Sequence, residues 1–194
     1  SHPDTIRLIH MGDVFDSRST ISVYIAKKVR KMFKDLAEIC NDVIVVAGNH
    51  DFYSPNSDEY DSLSLVLHNI EGVKLVRKES YFTDNQLFIP WYQWDNININ
   101  TYNEIKNGGV YYVFAHTNIV DIDPGIDEEI MVFSGHMHHP FFKDNRYNLG
   151  SCYAIDFSDC NSERGFYELG SDDKLKFIRN KHSIRFWRLK NEDI

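Results

Sequence analysis

Four short signatures rich in histidine and acidic residues occur in a fixed order along this chain, and a short apolar run precedes each of them. The signatures are GDVFD at 12–16, GNHD at 48–51, AHT at 115–117 and GHMHH at 135–139. The apolar runs cover residues 6–9, 43–47, 110–114 and 130–133. Short apolar runs bounded by turn residues are typical of buried strands, so the sequence predicts four strands that each end at a signature.

The signatures carry carboxylate, amide and imidazole groups, which four strand ends would bring to one edge of a sheet. This combination of ligands suits first-row divalent metals such as Mn, Fe or Zn. Each signature taken alone has a simpler interpretation, because Gly-Asp is common in turns and His-x-His fits one face of a strand. The four together, in this order and each behind a strand, favour a metal-dependent active site.

The order of these signatures resembles that of the calcineurin-like metallophosphoesterase superfamily. Within it, the chain is most similar to the SbcD-type DNA-repair nuclease subunits, particularly the shorter phage versions. The stretches that carry this narrower resemblance are GDVFDSR at 12–18, IPW at 89–91, YNLGS at 147–151 and ERGFY at 163–167. The resemblance implies an α/β fold, a two-sheet mixed β-sandwich flanked by helices. It covers most of the chain, which we expect to form a single nuclease domain over 1–194, without the family's capping and partner-binding regions.

Matching the motifs residue by residue implies a set of ligands for one metal, namely Asp13, Asn49, His116 and His136. Asp13 would bridge to another metal, which in the superfamily also uses His138 and an Asp-x-His signature on the first strand. No Asp-x-His precedes Asp13 in this chain. We therefore expect the family's first strand to be missing here. Of the family's two divalent metals, with Mn as the expected ion, at most one would then bind tightly.

The resemblance gives His50 the catalytic role, in which it contacts the phosphate and protonates the leaving oxygen. Imidazole suits general acid work close to neutral pH. Asp51 would orient that imidazole from outside the ligand set, although a turn-capping role for Asp51 is the alternative. Asp16 is expected to close the turn after Asp13, and His139 to face solvent.

Several other side chains have both a functional and a structural interpretation. Tyr53, Trp91 and Trp94 could stack on nucleotide bases, but Trp91 after Pro90 is better explained as a residue packed under the site. His10, at the end of the first predicted strand, fits a core or edge position. The basic residues between 27 and 34 fit the solvated face of an amphipathic helix.

Outside the four strands, helical spacing predicts a helix capped at Ser19 or Thr20 that ends near residues 40–41, and a second helix over 58–70. Residues 75–77 and 87–89 are predicted strands, and the polar stretch 96–109 a loop or short helix. From residue 145 onward, predicted strands at 147–149, 165–169, 175–178 and 184–189 suggest an antiparallel meander.

Composition limits the choice of function. No apolar run approaches the roughly 18 residues that span a membrane, and three cysteines in no metal-site spacing fit free cytosolic thiols. The net charge of −8 counts against a broad basic DNA-binding face, although bound metals would supply local positive charge.

The function that this sequence favours is a Mn-dependent phosphodiesterase that cleaves DNA, as the nuclease subunit of an SbcC/SbcD-like repair or recombination complex. The resemblance implies DNA as substrate and an SbcC-like ABC ATPase as partner. It implies the cytoplasm as location, which is the host cytoplasm if the protein is phage-encoded. It is also compatible with assembly into a homodimer. One alternative is a phosphatase or small phosphodiesterase of the same superfamily. Another is a non-catalytic interaction module on this fold, which the missing Asp-x-His would explain.

Overall fold

The computed structural model describes residues 6–54, 57–91, 109–118 and 129–187. Its helices are α1 (Val23–Ile39) and α2 (Ser62–Leu67). The strands of the first half are β1 (Arg7–His10), β2 (Asp42–Val46), β3 (Phe52–Ser54), β4 (Ser57–Asp61), β5 (Val73–Val76), β6 (Tyr81–Thr83) and β7 (Gln86–Ile89). The strands of the second half are β8 (Tyr112–Ala115), β9 (Met131–Ser134), β10 (Phe141–Lys143), β11 (Arg146–Asn148), β12 (Gly165–Leu169) and β13 (Leu175–Arg179).

Two sheets face each other. The smaller has the order β1-β2-β5, and its described strands are parallel. The larger has the order β10-β11-β9-β8-β7-β6, in which β7, β8, β9 and β11 are parallel and the two edge strands antiparallel. The hairpins β3-β4 and β12-β13 form separate two-stranded sheets. The arrangement confirms the predicted fold class, an α/β protein with sheets and flanking helices.

The core between the sheets contains a ladder of aromatic rings. Phe88, Phe114 and Phe133 occupy paired positions on three neighbouring parallel strands, β7, β8 and β9. Their ring centroids are 5.1 Å apart at each step, and the rings are nearly parallel. Ile44 and Val46 of the smaller sheet belong to the same buried cluster. Stacked rings contribute beyond their buried area, and here they also hold the three strands in one register.

Helix α1 covers the opposite face of the smaller sheet, where its Phe33 is fully buried among Val43 and Val45. The helix begins later than the sequence predicts. Ser22, and not Ser19 or Thr20, is the N-cap, and its Oγ accepts the N–H of Ile25 at 3.2 Å. The Thr20 side chain is instead engaged in a turn with the Ser17 hydroxyl, 3.0 Å away.

The predicted helix over 58–70 is wrong in its first part. Residues Ser57–Asp61 form β4, which pairs with β3, and only Ser62–Leu67 are helical. Asp61 ends the strand and caps the helix, because its carboxylate accepts the Ser64 N–H at 2.6 Å. The Arg77 guanidinium, 2.7 Å away, balances the charge of this buried carboxylate.

The strands predicted at 147–149, 165–169 and 175–178 are present as β11, β12 and β13, but they do not form one antiparallel meander. Strand β11 joins the larger sheet, parallel to β9 and antiparallel to β10, whereas β12 and β13 pair with each other in a separate hairpin. Residues 184–187 are not in a strand, and 188–189 lie outside the described residues, as does nearly all of the polar stretch 96–109. A strand that joins a larger sheet in parallel pairing cannot be distinguished by local pattern from a meander strand.

The carboxyl ends of β1, β2, β7, β8 and β9 meet at one edge of the sandwich. A backbone bond joins the sheets there, because the Trp91 N–H donates to the Ala47 carbonyl oxygen at 2.9 Å. Side chains on the loops after these five strands are therefore close together. Neither described helix has the length and apolar character of a membrane span.

Candidate metal centre

Three side chains from distant parts of the sequence meet at this edge. Asp13, His116 and His136 each offer a ligand atom, and these atoms lie within 4.8 Å of one another. They follow β1, β8 and β9. The His116 side chain is only 1% exposed and its Nε2 lies 3.3 Å from Asp13 Oδ2, whereas Asp13 and His136 are partly exposed. The cluster therefore has a buried floor and an open side.

Asn49, on the loop after β2, completes the cluster. Its Oδ1 lies 3.1 Å from His116 Nε2 and 2.9 Å from His136 Nδ1. The Met11 carbonyl oxygen lies 2.5 Å from His116 Nδ1, which assigns the hydrogen of a neutral ring to Nδ1 and the lone pair to Nε2. An amide oxygen, a carboxylate and imidazole lone pairs thus converge, and a divalent cation is what such a donor set accommodates.

The close approach of the loops requires glycine at two positions. A Cβ on Gly12 would lie 2.3 Å from His116 Nδ1, and a Cβ on Gly48 would lie 2.2 Å from Asp13 Oδ1. Asp13 and His136 themselves adopt left-handed backbone conformations, with φ of 52° and 80°. Such conformations cost free energy in residues with a side chain and tend to occur at functional sites.

The electrostatics keep two ligands in the form that binds a metal. Burial by itself would raise the pKa of Asp13, but the neighbouring His116 imidazole and the bond from the His50 N–H outweigh it, and the pKa lies below its ordinary value. Burial and the neighbouring His116 lower the pKa of His136. At neutral pH Asp13 is therefore an anion and His136 a neutral imidazole, as metal coordination requires.

His50 lies beside the ligands but is fixed by different atoms. Its backbone N–H donates to Asp13 Oδ1 at 2.8 Å. Its ring Nδ1 lies 2.6 Å from the Asp16 carbonyl oxygen, so that Nδ1 carries the hydrogen and donates it. Nε2 is then the ring atom left for proton transfer. Through its carbonyl group, Asp16 contributes to positioning the ring as well as to the turn.

Asp51 holds two ligand loops together. Its carboxylate is fully buried and accepts backbone N–H groups from Gly48 at 2.8 Å, Asp13 at 2.9 Å and Val14 at 3.0 Å. Burial raises the pKa of this carboxyl to about 7, against the opposing effect of the N–H bonds. These contacts match the turn-capping alternative. The bond that orients the His50 ring comes from the Asp16 carbonyl group and not from Asp51.

The second half of the GHMHH signature is placed differently. The His138 side chain is exposed and lies outside the cluster of Asp13, His116 and His136, although its charge contributes to lowering the pKa of His136. His139 is exposed as expected, but its ring also lies 3.3 Å from the Arg164 guanidinium. The structure thus brings together Asp13, Asn49, His116 and His136, with His138 at the margin.

Two residues that are not predicted ligands adjoin the site, and one of them, Trp91, is predicted to pack under it. The Trp91 indole stacks on the His136 ring, with centroids 4.9 Å apart, and meets the His116 ring edge-on at 6.1 Å. The Gly12 N–H donates to His10 Nδ1 at 3.3 Å, and burial followed by the His116 charge lowers the pKa of His10 to about 4. The available signal was position, since His10 ends β1 and Trp91 follows β7, so that both stand at carboxyl ends of strands.

The other aromatic candidates are less informative. Tyr53 is 61% exposed, as nucleotide stacking would require, and Trp94 lies outside the described residues.

Comparison with protein families gives one match. The model of the family described as calcineurin-like phosphoesterase matches residues 4–140, a range that contains all four residues of the cluster. The comparison with curated proteins found no match.

We expect the 194-residue chain to bind one Mn²⁺ tightly, at Asp13, Asn49, His116 and His136, because these residues form the one group of converging ligands among the described residues. Calorimetry should give a stoichiometry near one, and His136→Ala should abolish tight binding. His68→Ala, a change at a histidine outside the cluster, is the control. Two tightly bound ions per chain would contradict the prediction.

Replacing Asp51 with Ala should destabilise the protein by roughly 3 kcal/mol, because three backbone N–H groups lose their buried acceptor. Urea unfolding followed by circular dichroism measures the change. Asp35→Ala, which removes an exposed ion pair with Lys31, should cost about 0.5 kcal/mol or less. An Asp51→Ala variant as stable as the Asp35→Ala control would refute the structural role of this carboxylate.

Proposed function

The chain belongs to the calcineurin-like phosphoesterase family, and we propose that it is a Mn²⁺-dependent phosphodiesterase that cleaves DNA. We further propose that it acts as the nuclease subunit of an SbcC/SbcD-like repair or recombination complex. The observation that carries the proposal is the convergence of Asp13, His116 and His136 around the Asn49 amide oxygen. A metal-dependent phosphoester hydrolase needs such a cluster, and a purely structural domain does not.

In the proposed reaction, the metal ions would activate the phosphate and the water, and the protein side chains would hold the ions at the site. Divalent ions held there would polarise the phosphate and make water a better nucleophile. Asp13 is the anionic ligand, and both of its oxygens are engaged within the site, one near His116 Nε2 and the other with the His50 N–H. His138 is available at the margin as a ligand for a further ion, which remains part of the proposal.

His50 would supply the proton for the leaving 3′ oxygen. Its ring is fixed at Nδ1 by the Asp16 carbonyl group, and its backbone is fixed by Asp13. The ring is thus held in one orientation relative to the metal ligands, and Nε2 can carry the transferable proton. A positioned general acid of this kind commonly contributes 10²–10⁴-fold, roughly, to the rate.

The choice of DNA rests on the resemblance of YNLGS at 147–151 and ERGFY at 163–167 to the repair-nuclease branch. The same resemblance supports an SbcC-like ABC ATPase as partner, a cytoplasmic location, a phage origin and a homodimer as parts of the proposal. The net charge of −8 opposes tight DNA binding. DNA affinity should therefore be weak and strongly dependent on salt.

Two rival functions use the same fold. A phosphatase or small phosphodiesterase would need the same metal ligands, and substrate preference is what separates it from a nuclease. A non-catalytic module would keep the fold without hydrolysing a phosphoester. The complete cluster and the fixed His50 ring favour an enzyme over this second rival.

The nuclease assignment predicts Mn²⁺-dependent cleavage of linear duplex or single-stranded DNA at low salt. The 194-residue chain should be tested with His136→Ala as the inactive control. Gel analysis of the products measures the cleavage. If DNA stays intact while p-nitrophenyl phosphate is hydrolysed readily, the nuclease assignment fails and the phosphatase alternative replaces it.

The role of His50 predicts a dependence on the leaving group. His50→Asn should slow DNA cleavage by roughly 10²–10⁴-fold with Mn²⁺ affinity nearly unchanged, because the backbone bond to Asp13 survives the substitution. Hydrolysis of bis-p-nitrophenyl phosphate should fall much less, since p-nitrophenolate leaves without help from an acid. An equal loss on both substrates, or a loss of Mn²⁺ binding in calorimetry, would show that His50 has another role.

A further inference from the structure

The loop after β9 is held by side chains that the proposed chemistry does not use. This loop carries His136 and then the three residues Met137, His138 and His139. The Asn148 side-chain amide donates to the Met137 carbonyl oxygen at 2.9 Å and to the His139 carbonyl oxygen at 2.5 Å. The Arg164 guanidinium donates to the carbonyl oxygen between them, that of His138. Three consecutive carbonyl groups are thus bonded by two side chains.

Both donors are buried. Asn148 is fully buried at the end of β11, and Arg164 is 3% exposed just before β12. Arg164 also forms a buried ion pair with Asp159. Burying such a pair is costly unless its remaining donors are also bonded. The pair therefore contributes little to stability by itself, and its clearest effect is to keep a rigid donor against the loop.

The loop needs such support because of its backbone. His136 has a left-handed φ of 80°, and a residue with a side chain keeps this conformation only where its surroundings enforce it. The end of β11 also approaches the loop closely, since a Cβ on Gly150 would lie 2.8 Å from the His138 carbonyl oxygen. The contacts fix the segment directly after the metal ligand.

From this arrangement we propose that Asn148 and Arg164 are positioning residues for metal binding. By bonding the carbonyl groups of residues 137–139, they hold the His136 imidazole at the distance from Asn49 and His116 at which a cation fits. Asp159 holds the Arg164 side chain in place. The inference rests on the metal centre of the proposed function, but it does not depend on DNA being the substrate.

Two mild substitutions test the proposal. Arg164→Lys keeps a positive charge beside Asp159, but it loses the planar fork that places one nitrogen on Asp159 and another on the loop. Asn148→Ser keeps a hydroxyl donor but cannot reach both carbonyl groups. Arg179→Lys is the matched control, because Arg179 is exposed and pairs with Glu163 at 3.2 Å away from the loop.

Calorimetry would measure the Kd of Mn²⁺ well below the thermal transition of each variant, so that only folded protein is compared. We expect the Kd to rise at least about tenfold in Arg164→Lys and Asn148→Ser, as is usual when support for a metal ligand is lost, and to change little in the control. With bis-p-nitrophenyl phosphate, the Mn²⁺ concentration for half-maximal rate should rise in parallel, and saturating Mn²⁺ should largely restore kcat.

A Kd unchanged from the wild type in both variants would overturn the proposal, even with a lower Tm, because it would leave these residues with a structural role only. If one variant does not fold, the Kd of the other decides. A wild-type chain that binds no Mn²⁺ would also overturn it. Intact DNA combined with the expected order of Kd values would contradict only the nuclease assignment.

Discussion

The close convergence of Asp13, Asn49, His116 and His136 is the constraint on which the rest of the structure depends. A carboxylate and several lone pairs repel one another unless a cation lies among them. The protein must therefore hold them together through contacts of its own. It does so with glycines at 12 and 48, left-handed backbone at two ligands, and the Asp51 carboxylate, which joins the loops after β1 and β2 through neutral N–H groups.

The sheets supply the precision that the loops lack. His116 and His136 follow neighbouring parallel strands, and Trp91, which stacks on His136, follows the next strand along. The stacked rings of Phe88, Phe114 and Phe133 prevent these strands from sliding, because a slip by one residue would move every ring to the opposite face. An apolar ladder inside the sandwich thus sets the position of polar groups at its edge.

The sequence was informative wherever one short segment carried the whole signal. An apolar run followed by Asp13 or His116 predicts both a strand and the side chain at its end, and the structure brings these side chains together. The sequence was misleading where pairing between segments decides the outcome. Residues 58–61 lie in the predicted helix but belong to β4, which pairs with the neighbouring β3. Likewise, nothing local indicates that Arg164 bonds a carbonyl group 26 residues away.

The two sides of the site are held by side chains of opposite charge. Asp51 accepts N–H groups from the loops that carry Asp13 and Asn49, and Arg164 donates to the loop that follows His136. An isolated guanidinium this close would weaken cation binding, but Asp159 neutralises it. The backbone N–H groups that bond Asp51 are uncharged. They therefore do not neutralise its negative charge when it ionises. A cation beside it favours that charged form, so metal binding and ionisation of Asp51 stabilise each other.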